Sequence, residues 1–158
     1  MTKTMYDTIL VPTDGSKVAE KAVEHAIDLA QKYDAKLHAL YVVDTDAVDI
    51  GLGTEQVERI KAGKFGEMEE LQNRAKKATN AVGEAAAEHG IEVIEDVAAG
   101  RPHRSIDEYA KKNDIDLIVM GSKGRSGVRR ALLGSVTERT LRSTYIPVLV
   151  VDFREEDD

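Results

Sequence analysis

The chain has no cysteine. That excludes a disulfide framework, a thiolate metal site and a thiol nucleophile together. Tryptophan is absent too, aromatics make up 4% of residues, and there are only three prolines. No apolar run approaches the roughly 20 residues a membrane-spanning helix needs. The polar start, Met1 to Asp7, leads straight into an apolar run and does not read as a signal peptide. The expectation is therefore a cytoplasmic protein with no membrane partner. A net charge of −7 at pH 7 argues against general nucleic-acid binding, which depends on Lys and Arg neutralising phosphates. What is present is 158 residues, 42% hydrophobic and 32% charged, enough for one domain with a sizeable core.

Read in order, the chain alternates. Tyr6 to Pro12 is a short apolar run stopped by proline, a first strand, and Thr13-Asp14-Gly15-Ser16 is turn chemistry with Ser16 placed as a helix N-cap. Val18, Ala19, Ala22, Val23, Ala26, Ile27, Leu29 and Ala30 then recur at helical spacing up to Tyr33. Lys36 to Val43 is a second strand, nearly continuous in its apolar end as suits a sheet covered on both faces. Residues 44–66 carry four glycines, a possible short helix from Glu55 to Lys61 and little other pattern. Glu67 to His89 is a long helix with Gly90 as its C-cap. Ile91 to Ala98 predicts a weaker strand at a sheet edge, and Pro102 opens a helix through Asn113 with Ile106, Tyr109 and Ala110 inward. Asp116 to Met120 is the fourth strand. Ser135 to Ser143 is the last helix, with Val136, Thr140 and Leu141 inward, and Pro147 to Val151 is the fifth strand before the charged tail 152–158. Strand–helix repeated four times and closed by a strand predicts a single α/β domain over 1–158: a doubly wound parallel sheet with helices on both faces.

The richest stretch starts where the fourth strand stops. Gly121, Ser122 and Gly124 follow the apolar run, and Gly134-Ser135 opens the last helix. Glycines at a strand exit let backbone N–H groups face a ligand, and a helix start adds unpaired donors and the positive end of its dipole. Between Gly121 and Arg142 lie Lys123, Arg125, Arg129, Arg130, Arg139 and Arg142 against the single acid Glu138, a basic patch on an acidic chain. A solvated basic loop would have the same charges; the glycine–serine spacing favours a phosphate cradle. Ligands of such sheets sit beyond the carboxyl ends of the strands where the winding reverses. Asp14 then faces the same crevice, able to hold a ribose hydroxyl or a metal, Mg²⁺ or Mn²⁺. Alone, it would read as a turn aspartate bonded to its own backbone.

Gly-x-x-Gly, nine residues, then Gly-Ser, followed by Pro147-Val-Leu-Val-Val, resembles the universal stress protein family. So do Ile9-Leu-Val-Pro-Thr-Asp-Gly-Ser16, Gly100-Arg-Pro102 with Ile106, and Asp116 to Gly121. The resemblance runs along nearly the whole chain except 44–66, which varies in that family. It implies a Rossmann-like, five-stranded parallel sheet in the order 3-2-1-4-5, of the adenine nucleotide alpha hydrolase-like kind. It implies bound ATP, or AMP or ADP, because the family's nucleotide-binding members keep this glycine pattern. Carried over by position, Gly121, Ser122, Gly124, Gly134 and Ser135 hold the phosphates and Val136 adds a backbone donor. Asp14 meets ribose or metal, Pro12 and Thr13 line the base pocket, and the backbone of Val42 meets adenine. The family's homodimer through the last strand implies pairing at Val148 to Asp152, and an apolar edge there calls for cover on physical grounds as well.

Three functions follow: a nucleotide-dependent regulator in stress response; a slow ATPase or a phosphotransferase that phosphorylates its own Ser135 or Ser126; and an interaction module that binds no nucleotide. Phosphate donors and arginines are present, but the sequence offers no residue placed to orient a water, which favours binding over turnover. The four histidines fall at no metal-ligand spacing, and no serine has a histidine pattern suited to nucleophilic catalysis.

Overall fold

The computed structural model describes residues 5–45, 66–123 and 133–152. The predicted short helix Glu55 to Lys61, Gly124, Ser126, Arg125, Arg129, Arg130 and the tail beyond Asp152 lie outside them. The elements are β1 (Thr8–Pro12), α1 (Lys17–Tyr33), β2 (Lys36–Asp44), α2 (Gly66–Ala87), β3 (Val93–Gly100), α3 (Pro102–Lys112), β4 (Leu117–Gly121), α4 (Ser135–Ser143) and β5 (Val148–Val151). They form one parallel five-stranded sheet in the order β3-β2-β1-β4-β5, the order that the family resemblance implies.

The register keeps odd residues beside odd residues: Ile9 pairs with Leu37 and with Leu117, and Val119 with Leu149. Side chains alternate along a strand, so this parity sorts the core into two layers. Ile9, Val11, Leu37, Ala39, Leu117, Val119 and Val151 pack against Ala22, Val23, Ala26 and Ile27 of α1 and Val82 and Ala86 of α2. Leu10, Leu40, Ile118 and Met120 pack against Ile106 and Ala110 of α3 on the other face, where Val136 of α4 joins them. Burying each large aliphatic side chain stabilises the fold by about 1.5–3 kcal/mol. Asp116 ties the two central strands at their starts, its Oδ2 accepting from the N–H groups of Asp7 and Thr8 at 3.0 Å each.

The first three helices end alike. In each, a residue in the left-handed region (Asp34, φ 52°; Gly90, φ 72°; Asp114, φ 52°) lets the next N–H reach back, Ala35 to Ala30 O, Ile91 to Ala86 O and Ile115 to Ala110 O. That is the pattern by which a helix stops sharply and feeds the following strand. Two of the three positions are aspartate, which tolerates this backbone better than most side chains.

Boundaries shift where the apolar pattern is weak. The third strand begins two residues later than expected and runs on to Gly100, because its backbone pairs with β2 as far as Asp44↔Gly100 whatever its side chains. Leu141, expected inward, is 40% exposed; Thr137 and Thr140 are the buried positions of α4.

One polar network crosses this fold. Tyr109 of α3 donates its hydroxyl hydrogen to Asp96 Oδ2 of β3 (2.5 Å), so His38 of β2, whose Nδ1 lies 2.8 Å from the Tyr109 hydroxyl oxygen, must donate to that hydroxyl. Burial holds the His38 pKa below its ordinary 6.5, overriding Asp96, which raises it; Lys36 lowers it further. An unfolded His38 takes a proton near pH 6.5 while the folded one resists. Stability from this group is therefore complete above that pH and falls as the pH drops toward the folded value. The urea midpoint should fall between pH 7.5 and 5.5 by more in the wild type than in His38→Gln; equal falls would remove His38 as the cause.

Candidate functional site

The ladder between β1 and β4 ends at Leu10↔Ile118, whereas β1 and β2 remain paired to Pro12↔Leu40. The central strands thus part at their carboxyl ends, where the winding direction reverses, and a crevice of this kind is where such sheets take ligands. Thr13 N–H donates to Leu40 O at 2.8 Å, so the backbone groups of Leu40 face β1. Residues two apart on a strand point the same way. The N–H and C=O of Val42 therefore face that side as well, beyond the end of β1, and no backbone bond from there reaches them among the described residues. Val42 presents one donor and one acceptor side by side.

The turn after β1 is fixed by its own side chains. Gly15, at φ 79°, donates to Thr13 Oγ1 (3.2 Å), Ser16 N–H donates to Asp14 Oδ1 (2.9 Å), and Ser16 Oγ caps α1 by accepting from Ala19 N–H (3.2 Å). Asp14 is half-buried at the crevice rim, and Thr13 is buried. Both readings of Asp14 therefore meet here: it makes the turn bond, and it stands at the strand exit opposite β4.

Across the crevice, α4 starts at Gly134, which contributes no side-chain cap. Gly134 N–H donates to Ser122 O at 2.7 Å. The N–H groups of Ser135 and Val136, which a helix leaves unpaired at its start, have no hydrogen-bond partner among the described residues. Val136 packs against the same apolar layer as Val42. The structure thus gathers Pro12, Thr13, Asp14, Val42, Gly121, Ser122, Gly134, Ser135 and Val136 at one end of the sheet; Gly124 lies outside the described residues.

Two of these residues are engaged in ways the sequence does not reveal. Ser122 is 2% exposed and its Oγ donates to Asp152 Oδ1 (2.7 Å), while its N–H donates to Val151 O (2.8 Å). Gly121 is buried against α1: a Cβ there would sit 2.6 Å from Val18 Cγ1. Thr137, which sequence reasoning passed over, is buried and donates through Oγ1 to Gly121 O at 2.8 Å. Of the basic residues counted around the loop, Arg142 pairs with Glu138 on its own helix (2.9 Å). A groove of 1120 Å³ lies elsewhere, between α1 and α2, and reaches the crevice only at Thr13 and Gly15. Its rim mixes Lys17, Lys21 and Arg74 with Glu20, Glu24 and Asp28, so it concentrates no single sign of charge.

Among the described residues no helix is long and apolar enough to cross a membrane, and no three metal-ligating side chains cluster. Comparison with known proteins bears on the family and the fold. The profile of the universal stress protein family matches residues 5–152. Universal stress protein MJ0531 of Methanocaldococcus jannaschii is 39% identical over 148 residues, covering 93% of this chain and 82% of that protein. The solved structure of protein MJ0577 from the same organism superposes with a TM-score of 0.79 at 28% identity, over 97% of this chain and all of that one. A universal stress protein solved in complex with cAMP matches with a TM-score of 0.66 at 25% identity, over 94% of this chain and 98% of that one. This chain belongs to the universal stress protein family.

Proposed function

We propose that the protein binds an adenine nucleotide, ATP with Mg²⁺ or Mn²⁺, between the carboxyl ends of β1 and β4. Its occupancy then serves as a signal in stress response in the cytoplasm. The observation that carries this reading is the pair of open backbone edges facing one crevice. Val42 offers N–H and C=O, which complement the ring nitrogen and amino group of adenine. Ser135 and Val136 offer N–H donors at a helix start, suited to phosphate. Gly121, Ser122, Gly124 and Gly134 shape the chain around the phosphates, Pro12 and Thr13 line the base, and Asp14 meets ribose or metal. A single carboxylate fits a divalent ion that takes most of its ligands from phosphate and water, as Mg²⁺ commonly does. The metal would supply charge neutralisation of the phosphates. The cAMP complex of a related protein supports an adenine nucleotide as the ligand class.

A homodimer through Val148 to Asp152 completes the proposal. β5 is an edge strand, and its Leu149 is 36% exposed. An apolar edge of this kind is normally covered or paired. Native mass spectrometry of the purified protein tests both parts. Two chains carrying intact ATP, and a melting temperature that rises with millimolar ATP, are expected. Bound ADP would turn the reading toward a slow ATPase. A bare monomer whose melting temperature ignores ATP, AMP and ADP alike would overturn it.

A further inference from the structure

Four hydrogen bonds converge on the two residues at the exit of β4. From β5, Val151 O accepts from Ser122 N–H (2.8 Å) and Asp152 Oδ1 from Ser122 Oγ (2.7 Å). From α4, Gly134 N–H donates to Ser122 O (2.7 Å) and Thr137 Oγ1 to Gly121 O (2.8 Å). Ser122 and Thr137 are each 2% exposed. We infer that Thr137 and Asp152 are positioning residues of the nucleotide site, acting on the phosphates only through the backbone they hold.

Helix α4 has nine residues and no side-chain cap, so the geometry of its first turn is not fixed from within. Threonine in the first turn of a helix commonly satisfies that helix's own backbone; here the hydroxyl leaves the helix and fastens it to the strand carbonyl of Gly121. Asp152 fastens the same strand exit from the β5 side. The bonds at Gly121 and Ser122 thereby set the height of the Ser135 and Val136 N–H groups above the end of β4. Donors aimed at a ligand lose their value when displaced by as little as half an ångström to one ångström. The inference rests on the reading that phosphates bind at the start of α4.

Paired variants separate positioning from mere stability. Thr137→Val keeps the shape and removes the hydroxyl; Thr137→Ser keeps the hydroxyl and removes a methyl group from a buried site. Asp152→Ala acts at an exposed residue and is expected to leave the fold intact. Affinity for ATP with Mg²⁺ is read by calorimetry well below the melting temperature, alongside melting of the unliganded proteins. Thr137→Val should bind ATP about tenfold more weakly and Asp152→Ala about threefold more weakly. Thr137→Ser should stay within about twofold of wild type despite its lower melting temperature. Wild-type affinity in both Thr137→Val and Asp152→Ala would overturn the positioning role while leaving nucleotide binding intact. Affinity that merely tracks melting temperature across the set would overturn it as well. Failure of the wild type to bind ATP would bring down the functional reading and this inference with it.

Discussion

Gly121→Val should lower the stability of the protein by about 3 kcal/mol, reducing the melting temperature by about 10 °C for a chain of this length. Gly121 is an odd-numbered residue of β4, so its missing side chain lies on the face covered by α1. A Cβ there would meet Val18 Cγ1 at 2.6 Å, the Val18 backbone carbon at 3.2 Å and its Cβ at 3.3 Å. Turning the Val18 side chain relieves only the first of these. Retreat of α1 would open the contacts of Ala22, Val23 and Ala26 with the sheet. Gly121→Ala should be milder, and adding Val18→Ala should return part of its loss, because the nearest obstructing atom is then gone. Urea denaturation of the three variants checks this, and wild-type stability in Gly121→Val would refute it. The first glycine of the phosphate pattern therefore has a packing reason of its own. A Gly121 variant that fails to bind nucleotide would not by itself report on the phosphate site. Ser135, Val136 and the residues that hold them are the cleaner probes.

The parts of the fold legible in the sequence are those written in side-chain periodicity. The α1 stripe and its Ser16 cap, the apolar runs of β1, β2 and β4, and Pro102 at the start of α3 each follow from a local rule, and the structure has them within a residue or two. The acids Glu92, Glu95 and Asp96 weaken the pattern of β3, and its span is set instead by backbone pairing with β2. The left-handed ends at Asp34 and Asp114 are marked by aspartate, a weaker signal than the glycine at Gly90. In the site, Asp14 and the Gly134-Ser135 helix start are visible as turn and cap chemistry. Thr137 is not, since a threonine in a short helix looks the same whether its hydroxyl faces solvent or a strand carbonyl 16 residues earlier. Val42 is reached only through the family resemblance, because its donor–acceptor edge depends on how far β1 extends beside β2 and not on its own side chain.

That edge yields the sharpest test of base recognition. Val42→Pro should weaken ATP binding by roughly ten- to a hundredfold, the loss typical of removing one hydrogen bond in a desolvated site and leaving its partner unmatched. The parity of β2 makes this substitution informative. Leu40 faces β1, so Val42 N–H does too, and the bonds that join β2 to β3 come from the alternate residues. Proline at 42 therefore removes a donor that the sheet does not use, at a position that is effectively an edge on that side, where proline is tolerated. Val42→Ala separates side chain from backbone: it trims the contact with the apolar layer but keeps N–H and C=O, and should bind ATP within a few-fold of wild type. Inosine triphosphate supplies the second control, because its base presents an acceptor where adenine has an amino donor and a donor where adenine has an acceptor. Wild type should prefer ATP over it clearly, and Val42→Pro, which loses the donor but keeps the carbonyl acceptor, should lose part of that preference along with its affinity. Tight ATP binding by Val42→Pro, with the preference intact, would mean that adenine is read somewhere else.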